Sequence, residues 1–484
     1  MKPIQQIPAA DPMPIFGWRG TLWKFYTDPL GYLEKLRKQH GDVFAFVRGG
    51  NPPLFFPAKG KPHTLMAFGA EYNRQLLSNS DVFYSGPLLG PSHPIGEVNK
   101  RRKVLQRLDT GLFGVNGAAH RQQRRLVMPA FHKQRLQSYY DDMLRITKLN
   151  IDSWKLNEQH DLLNDMMKLT LQIAVQCLFG VDVRNEAQSF GKLIQTWLQL
   201  AVSPQVAALQ IDLPGFPYHH FLNISHQFDS EIRNIIQRRR DQLGDDVLSL
   251  MLQAKDEHGN PAFTEDEIIG HSSVFIMAGH ETSSNALAWT FFLLSQHPQV
   301  MKKLRLELDL KLGAEPPTYD SLKQLTYLDA VIKESMRLLP PVPMSARVVA
   351  SPVELGGYHL PVGTEVGFSH FHTHHDPTIY KNPEAFYPER WEEINPSAHE
   401  YMPFSAGIRA CIGMPFALME IPLILAMTLQ RYRLELIPHA VIDVSVGVTV
   451  SPKNGLPMFI RPADGNYEAG AGGVKGTINQ VVNL

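Results

Sequence analysis

Ten residues near the C-terminal end concentrate reactive side chains: Phe404-Ser405-Ala406-Gly407-Ile408-Arg409-Ala410-Cys411-Ile412-Gly413. They hold one of only two cysteines, an arginine two residues before it, an aromatic ring and two glycines. The apolar, helix-forming run Phe416-Ala417-Leu418-Met419-Glu420 follows, so Cys411 sits in a turn before a helix N-terminus. Unpaired N–H groups and the positive end of a helix dipole favour an anion there. The thiol is therefore expected to have a lowered pKa and to tend towards thiolate. Gly407 and Gly413 let the backbone turn sharply and approach something large and flat. Thiolate, cation and aromatic together fit a haem clamp with cysteine as axial ligand. A structural cysteine beside a loop arginine is the plain alternative.

A second constellation, Ala278-Gly279-His280-Glu281-Thr282, lies inside a long helical stretch. Glycine there loses about 1 kcal/mol of helix propensity against alanine, so the small pair could be kept for a planar group to pack on. Glu281 and Thr282 put a carboxylate and an alcohol at one spot, suited to proton delivery to bound oxygen. Thr282 could also bond back to a carbonyl and distort the helix; a polar kink in a core helix is the bland reading. A zinc-protease reading of His280-Glu281 fails, because Ser284 stands where the second histidine is needed.

Glu334 and Arg337 are three apart on a predicted helix and face one side. With Arg390 from Phe386-Tyr387-Pro388-Glu389-Arg390-Trp391 they could share a buried carboxylate, locking loop to helix at a desolvation cost. His120 and Arg124, four apart on a helix, and Arg347 on a strand after Pro341-Val342-Pro343 could donate to a carboxylate such as a haem propionate. Singly, each reads as a surface residue. His370, His372 and His374 alternate in a predicted strand, with His375 beside them, so a metal site is conceivable there.

The elements that must position these groups are mostly helical. Periodicity predicts helices near 28–40, 118–128, 133–157, 161–179, 185–201, 225–256, 298–312, 321–339 and 414–431. Another starts at Thr264, with Glu267 completing a capping box, and runs to Gln296, on the order of 45 Å. Strand-like segments lie at 42–48, 64–68, 345–350, 353–360, 364–369, 433–437 and 446–460. No strand–helix series repeats, so the class is mainly α with a small β region. The connection 203–223 is apolar but broken by Leu213-Pro214-Gly215-Phe216-Pro217, a surface loop or a lid. Pro422 should kink the last helix. One domain is expected over 1–463, followed by a glycine-rich tail, 464–484, expected to be flexible.

Charge is balanced, 47 basic against 47 acidic residues, which gives no general reason to expect nucleic acid. The runs Lys100-Arg101-Arg102-Lys103 and Arg238-Arg239-Arg240 read as solvated faces. Two cysteines exclude a disulfide framework and point to a reducing compartment; Cys177 reads as core packing. No segment has about 18 unbroken apolar residues, and the polar N-terminus does not read as a signal peptide. A soluble cytoplasmic protein without a membrane anchor is expected.

In the order His120…Arg124, Ala278 to Thr282, Glu334…Arg337, Phe386 to Trp391 and Phe404 to Gly413, the chain resembles the cytochrome P-450 family of haem-thiolate monooxygenases, from about Pro14 to Arg461. The resemblance implies a triangular helical prism with a long central helix, small N- and C-terminal sheets, and haem b (iron protoporphyrin IX). It implies Cys411 as axial iron ligand, Phe404 beside its sulfur, and Gly407, Gly413, Ala278 and Gly279 against the cofactor. Arg409, His120, Arg124 and Arg347 would hold the propionates; Glu334, Arg337 and Arg390 would form a structural triad; Glu281 and Thr282 would relay protons. Pocket residues implied by position are Leu112, Phe113, Phe275, Val342, Met344 and Val448. Their apolar character implies a lipophilic substrate, a fatty acid or terpenoid, hydroxylated or epoxidised with dioxygen.

No redox module is recognised in the chain, so a separate electron donor is implied: ferredoxin or flavodoxin with a reductase, or a diflavin reductase. His120 replaces the tryptophan common in the family, and the tail beyond Arg461 is unlike the family's short ending. The alternatives are a peroxide-driven peroxygenase, a haem-thiolate isomerase or dehydratase, a non-enzymatic haem sensor, and a helical binding protein without haem. Glu281-Thr282 argues for oxygen activation, since members of the reductant-free branches often lack that pair.

Overall fold

Thr264 caps a helix of 32 residues, Glu265–Gln296, around which the rest of the chain is arranged. The capping box expected from sequence is present: Glu267 N–H donates to Thr264 Oγ1 at 3.3 Å, and Thr264 N–H to the Glu267 carboxylate at 2.8 Å. Its second half, Ser283 to Gln296, is buried on every side. It packs against Leu162–Phe179, Thr326–Leu338 and Met414–Arg431. The computed structural model describes residues 2–51, 54–55, 64–86, 101–108, 110–181, 183–201, 203, 205–206 and 209–484, and the backbone alone of 183–189. Lys100 and parts of the expected 203–223 connection lie outside the described residues.

Most helices fall where periodicity places them, among them Pro29–His40, Gly117–Val127 and Met414–Arg431, the last with Pro422 inside it. Cys177 is buried, as expected of a core residue. Two elements differ. The expected 225–256 helix is two, Pro217–Asp241 and Val247–Gln253. Pro217 takes the first helical turn, where its missing N–H costs nothing, and Asp246 starts the second helix by accepting from Ser249 N–H at 2.9 Å. The expected 321–339 helix likewise divides into Tyr319–Leu322 and Thr326–Leu338.

The histidine cluster is not a strand. Ser369 accepts from His372 N–H at 3.2 Å and starts the short helix His370–His374. At 3.6 residues per turn alternate histidines no longer share a face. His372 bonds Ser369 Oγ and Leu30 O, and His374 Nε2 accepts from Met402 N–H at 2.9 Å. Burial holds His370 and His372 neutral, with pKa values lowered to about 4. Among the described residues no three His, Cys, Asp or Glu side chains form a metal group.

A five-stranded sheet orders Val43–Ala45, Thr64–Ala67, Glu365–Ser369, Met344–Val349 and Phe83–Tyr84. Only the pairing of Thr64–Ala67 with Glu365–Ser369 is parallel. Tyr432–Leu436, Pro457–Pro462 and Gln159–Asp161 form a second sheet, and Val444–Val446 with Val450–Pro452 a hairpin. Among the described residues no helix is long and apolar enough to cross a membrane.

The tail departs from the flexible segment expected of its glycines. Ile478 and Val482 are buried, Gly472 N–H donates to Gln296 at 2.9 Å, and Asn483 N–H to Glu384 O at 2.9 Å. A Cβ on Gly476 would lie 2.3 Å from Ile442 O. Here glycine serves close approach rather than freedom.

Candidate active site

The cysteine loop is shaped by backbone that ordinary residues avoid. Ser405 and Gly407 have φ of 59° and 71°, and a Cβ on Gly407 would lie 2.2 Å from Leu77 O. Cys411 N–H donates to Phe404 O at 2.8 Å, closing the loop. Phe404 is half-buried against the main core. Cys411 itself is exposed, yet burial pushes its thiol pKa up, opposed by the N–H of Gly413, by Arg124 and by the N–H of Met414. This reverses the lowered pKa expected from sequence: the helix-start donors are present, but desolvation outweighs them. A coordinated metal would deprotonate it outright.

The long helix is buried from Ile268 to Ile276 and from Ser283 to Gln296; between them Met277, Ala278, Gly279, Glu281 and Thr282 are only half-buried. Thr282 Oγ1 donates back to Ala278 O at 2.7 Å, as its type allows. A Cβ on Gly279 would meet Ala174 and Leu178 of a neighbouring helix at 3.8 Å, an ordinary contact.

Three guanidinium groups and an imidazole gather from three elements. His120 and Arg124 come from Gly117–Val127, Arg347 from Met344–Val349 and Arg409 from the cysteine loop. Burial, then Arg409, Arg124, Arg121 and Arg347, lowers the His120 pKa to about 4. Burial and Arg409 lower Arg347 to about 10; burial and Arg124 lower Arg409 to about 10. Arg409 donates to the carbonyls of Leu112 and Val115, and Arg347 to Ala346 O. Among the described residues none of the three arginines has a carboxylate partner, and His120 Nδ1 and Arg409 Nε are buried without partners. Desolvated like charges are unfavourable unless an anion joins them. The residues present therefore fit a group that brings its own carboxylates.

The three triad candidates share one carboxylate. Glu334, Arg337 and Arg390 are all buried. Arg337 meets both carboxylate oxygens at 3.0 and 2.9 Å, Arg390 Nε donates to Oε1 at 3.1 Å and Trp391 Nε1 to Oε2 at 3.2 Å. The remaining Arg337 donors reach the carbonyls of His374, Pro383 and Ala385. Helix and loop are thus joined through one carboxylate.

The six pocket candidates scatter in environment. Leu112 and Phe275 are buried, with Phe275 5.9 Å from the Phe131 ring. Met344 packs on the N-terminal aromatic cluster with Phe25 and Phe46. Val342 is half-buried, while Phe113 and Val448 are 37% and 59% exposed. A surface crevice of about 470 Å³ beside Glu71, Tyr72, Gln75 and Glu354 is lined by none of them.

Sequence reasoning missed two groups. Glu420 is fully buried on the helix after the cysteine, and burial pushes its pKa up to about 8, with Ser283 opposing. The visible signal was one acid between Met419 and Ile421. Thr449 donates to Glu281 Oε1 at 2.6 Å from the C-terminal hairpin; no local pattern announces it.

The family model for cytochrome P450 matches residues 94–456. The chain is 32% identical over 438 residues to cyclooctat-9-en-7-ol 5-monooxygenase of Streptomyces melanosporofaciens, covering 88% of this chain and 89% of that one. It is 29% identical over 430 residues to cytochrome P450 4A10 of Mus musculus, covering 80% and 82%. Among solved structures it is similar to retinoic acid-bound cyanobacterial CYP120A1, with a TM-score of 0.79, 26% identity, and coverage of 96% and 100%.

Proposed function

The chain belongs to the cytochrome P450 family of haem-dependent monooxygenases, and from that premise we propose that it hydroxylates or epoxidises a lipophilic small molecule, a terpenoid or fatty acid, with electrons from a separate donor protein. The observation that carries the reading is the cluster of Arg124, Arg347, Arg409 and His120, desolvated and without a carboxylate among the described residues. It suits the two propionates of haem, and it extends to the loop that holds Cys411.

Haem supplies the binding and reductive activation of dioxygen. The chain's own residues do the rest. Cys411 would hold the haem iron through its sulfur, and the Gly413 and Met414 N–H groups, which pull its pKa down, would stabilise its anionic form. The Glu334 triad fixes the segment of Arg390 against the helix Thr326–Leu338, giving the chain that leads to the cysteine loop a fixed start. On the long helix, Thr282 Oγ1 holds its proton on Ala278 O until a better acceptor arrives. Glu281, half-buried beside it, is the group able to pass protons in from solvent.

A relative named for cyclooctat-9-en-7-ol and a similar structure bound to retinoic acid support an apolar substrate. Apolar Leu112, Phe275 and Val448 offer walls for it.

The test is the absorption spectrum of the reduced protein with carbon monoxide. A red-shifted Soret band is expected, and Cys411→Ser should abolish it. A normal thiolate spectrum in that variant would overturn the ligand assignment. A spectral-shift screen of terpenoids and fatty acids then addresses the substrate; failure of every lipophilic compound to shift the spectrum would count against that class.

A further inference from the structure

The hairpin of Val444–Val446 and Val450–Pro452 turns through Gly447, Val448 and Thr449. Its tip carries Val448, 59% exposed and named above as a pocket wall. The hairpin is tied to the body where its turn closes, at the Val446–Val450 pair: Trp289 Nε1 donates to Val450 O at 3.0 Å, and Val450 N–H to Pro341 O at 3.0 Å, next to Val342. Trp289 is fully buried, so this anchor is rigid. The tip is tied differently. Thr449 Oγ1 donates to Glu281 Oε1 at 2.6 Å, across 168 residues of sequence, and both residues are only half-buried.

We propose that Thr449 is a positioning residue for proton delivery: its hydroxyl holds the Glu281 carboxylate and couples that group to the pocket wall at Val448. The inference rests on the reading of Glu281 and Thr282 given above. A glutamate side chain has three rotatable bonds, and fixing it costs rotamer entropy. A hydroxyl donated to an ionised carboxylate is among the stronger neutral-to-charged bonds. The helix sets where the Glu281 backbone lies; the hairpin sets where its carboxylate points. Whatever presses on Val448 moves the residue next to it, so pocket occupancy and the orientation of the acid are mechanically joined. The anchor of Val450 on Trp289, one residue beyond Thr449, confines that movement to the turn itself.

Hydrogen exchange of the hairpin amides in the holoenzyme tests the hold without turnover. Thr449→Val should speed exchange at 446–449 by roughly fivefold or more, while amides of Met414–Arg431 stay unchanged. Thr449→Ser keeps the hydroxyl and should restore the slow rate. Glu281→Ala removes the same bond from the helix side and should speed the same amides. The double variant should exchange no faster than either single one, since both delete one contact. Product formed per reductant consumed should fall in Thr449→Val and recover in Thr449→Ser. Unchanged exchange in both Thr449→Val and Glu281→Ala overturns the hold. Faster exchange with unchanged product per reductant overturns the positioning role. Failure of the underlying function reads differently: the wild-type protein would then lack the red-shifted carbon monoxide band.

Discussion

Arg390 Nε donates to Glu334 Oε1 at 3.1 Å although 56 residues separate them, and neither side chain reaches solvent. Arg337 shares the same carboxylate. Glu334→Ala therefore leaves two guanidinium groups buried without their anion, and should destabilise the fold by about 3–5 kcal/mol. Urea denaturation reads this as a lower midpoint. A variant as stable as the wild type would show that the loop is held by Arg337 and Arg390 on backbone carbonyls alone.

Gly407 and Gly279 make opposite predictions. Gly407 has φ of 71° and its Cβ would strike a backbone oxygen at 2.2 Å, which cannot swing away. Gly407→Ala should cost about 1–3 kcal/mol and lower haem content per chain. Gly279→Ala meets only ordinary contacts at 3.8 Å and should stabilise the helix by up to about 1 kcal/mol. Denaturation of the two purified variants compares them directly.

Glu420 makes stability depend on pH with an unusual sign. Its folded-state pKa is raised to about 8 from an ordinary value of 4.5, so the folded chain binds a proton that the unfolded chain has released. Stability from this group is complete below the unfolded value and is lost as pH rises towards 8. The full loss, at about 1.4 kcal/mol per pKa unit, is on the order of 5 kcal/mol. Glu420→Gln should flatten the stability profile across that window. An unchanged profile would place the titration elsewhere.

Thr282→Ala removes the hydroxyl on the long helix but leaves its backbone bonds. Thermal stability should change little, while product per reductant should fall by roughly tenfold or more and peroxide release should rise. Unchanged coupling would remove Thr282 from the proton path.

What could be read from sequence was what depends on near neighbours. Thr264 and Glu267 form their box because a helix start needs donors satisfied within one turn. Glu334 and Arg337 meet because residues three apart share a helix face. The histidine cluster misled because a single side-chain cap at Ser369 turns an alternating strand pattern into a helix. The glycine-rich tail misled because composition does not distinguish freedom from tight packing; the contact of Gly476 with Ile442 does.

The sequence by itself determined the family, the axial cysteine candidate and the order of the motifs, since each is a short pattern whose chemistry is carried within a few residues. Tertiary structure alone decided the charges. Burial raises the Cys411 thiol where the helix start alone would lower it, and it raises Glu420, while the fold gathers His120, Arg124, Arg347 and Arg409 with no carboxylate partner among the described residues. The reason is physical: desolvation and the field at a charged group are sums over everything packed round it, and Thr449 reaches Glu281 only once 168 residues have folded back on the long helix.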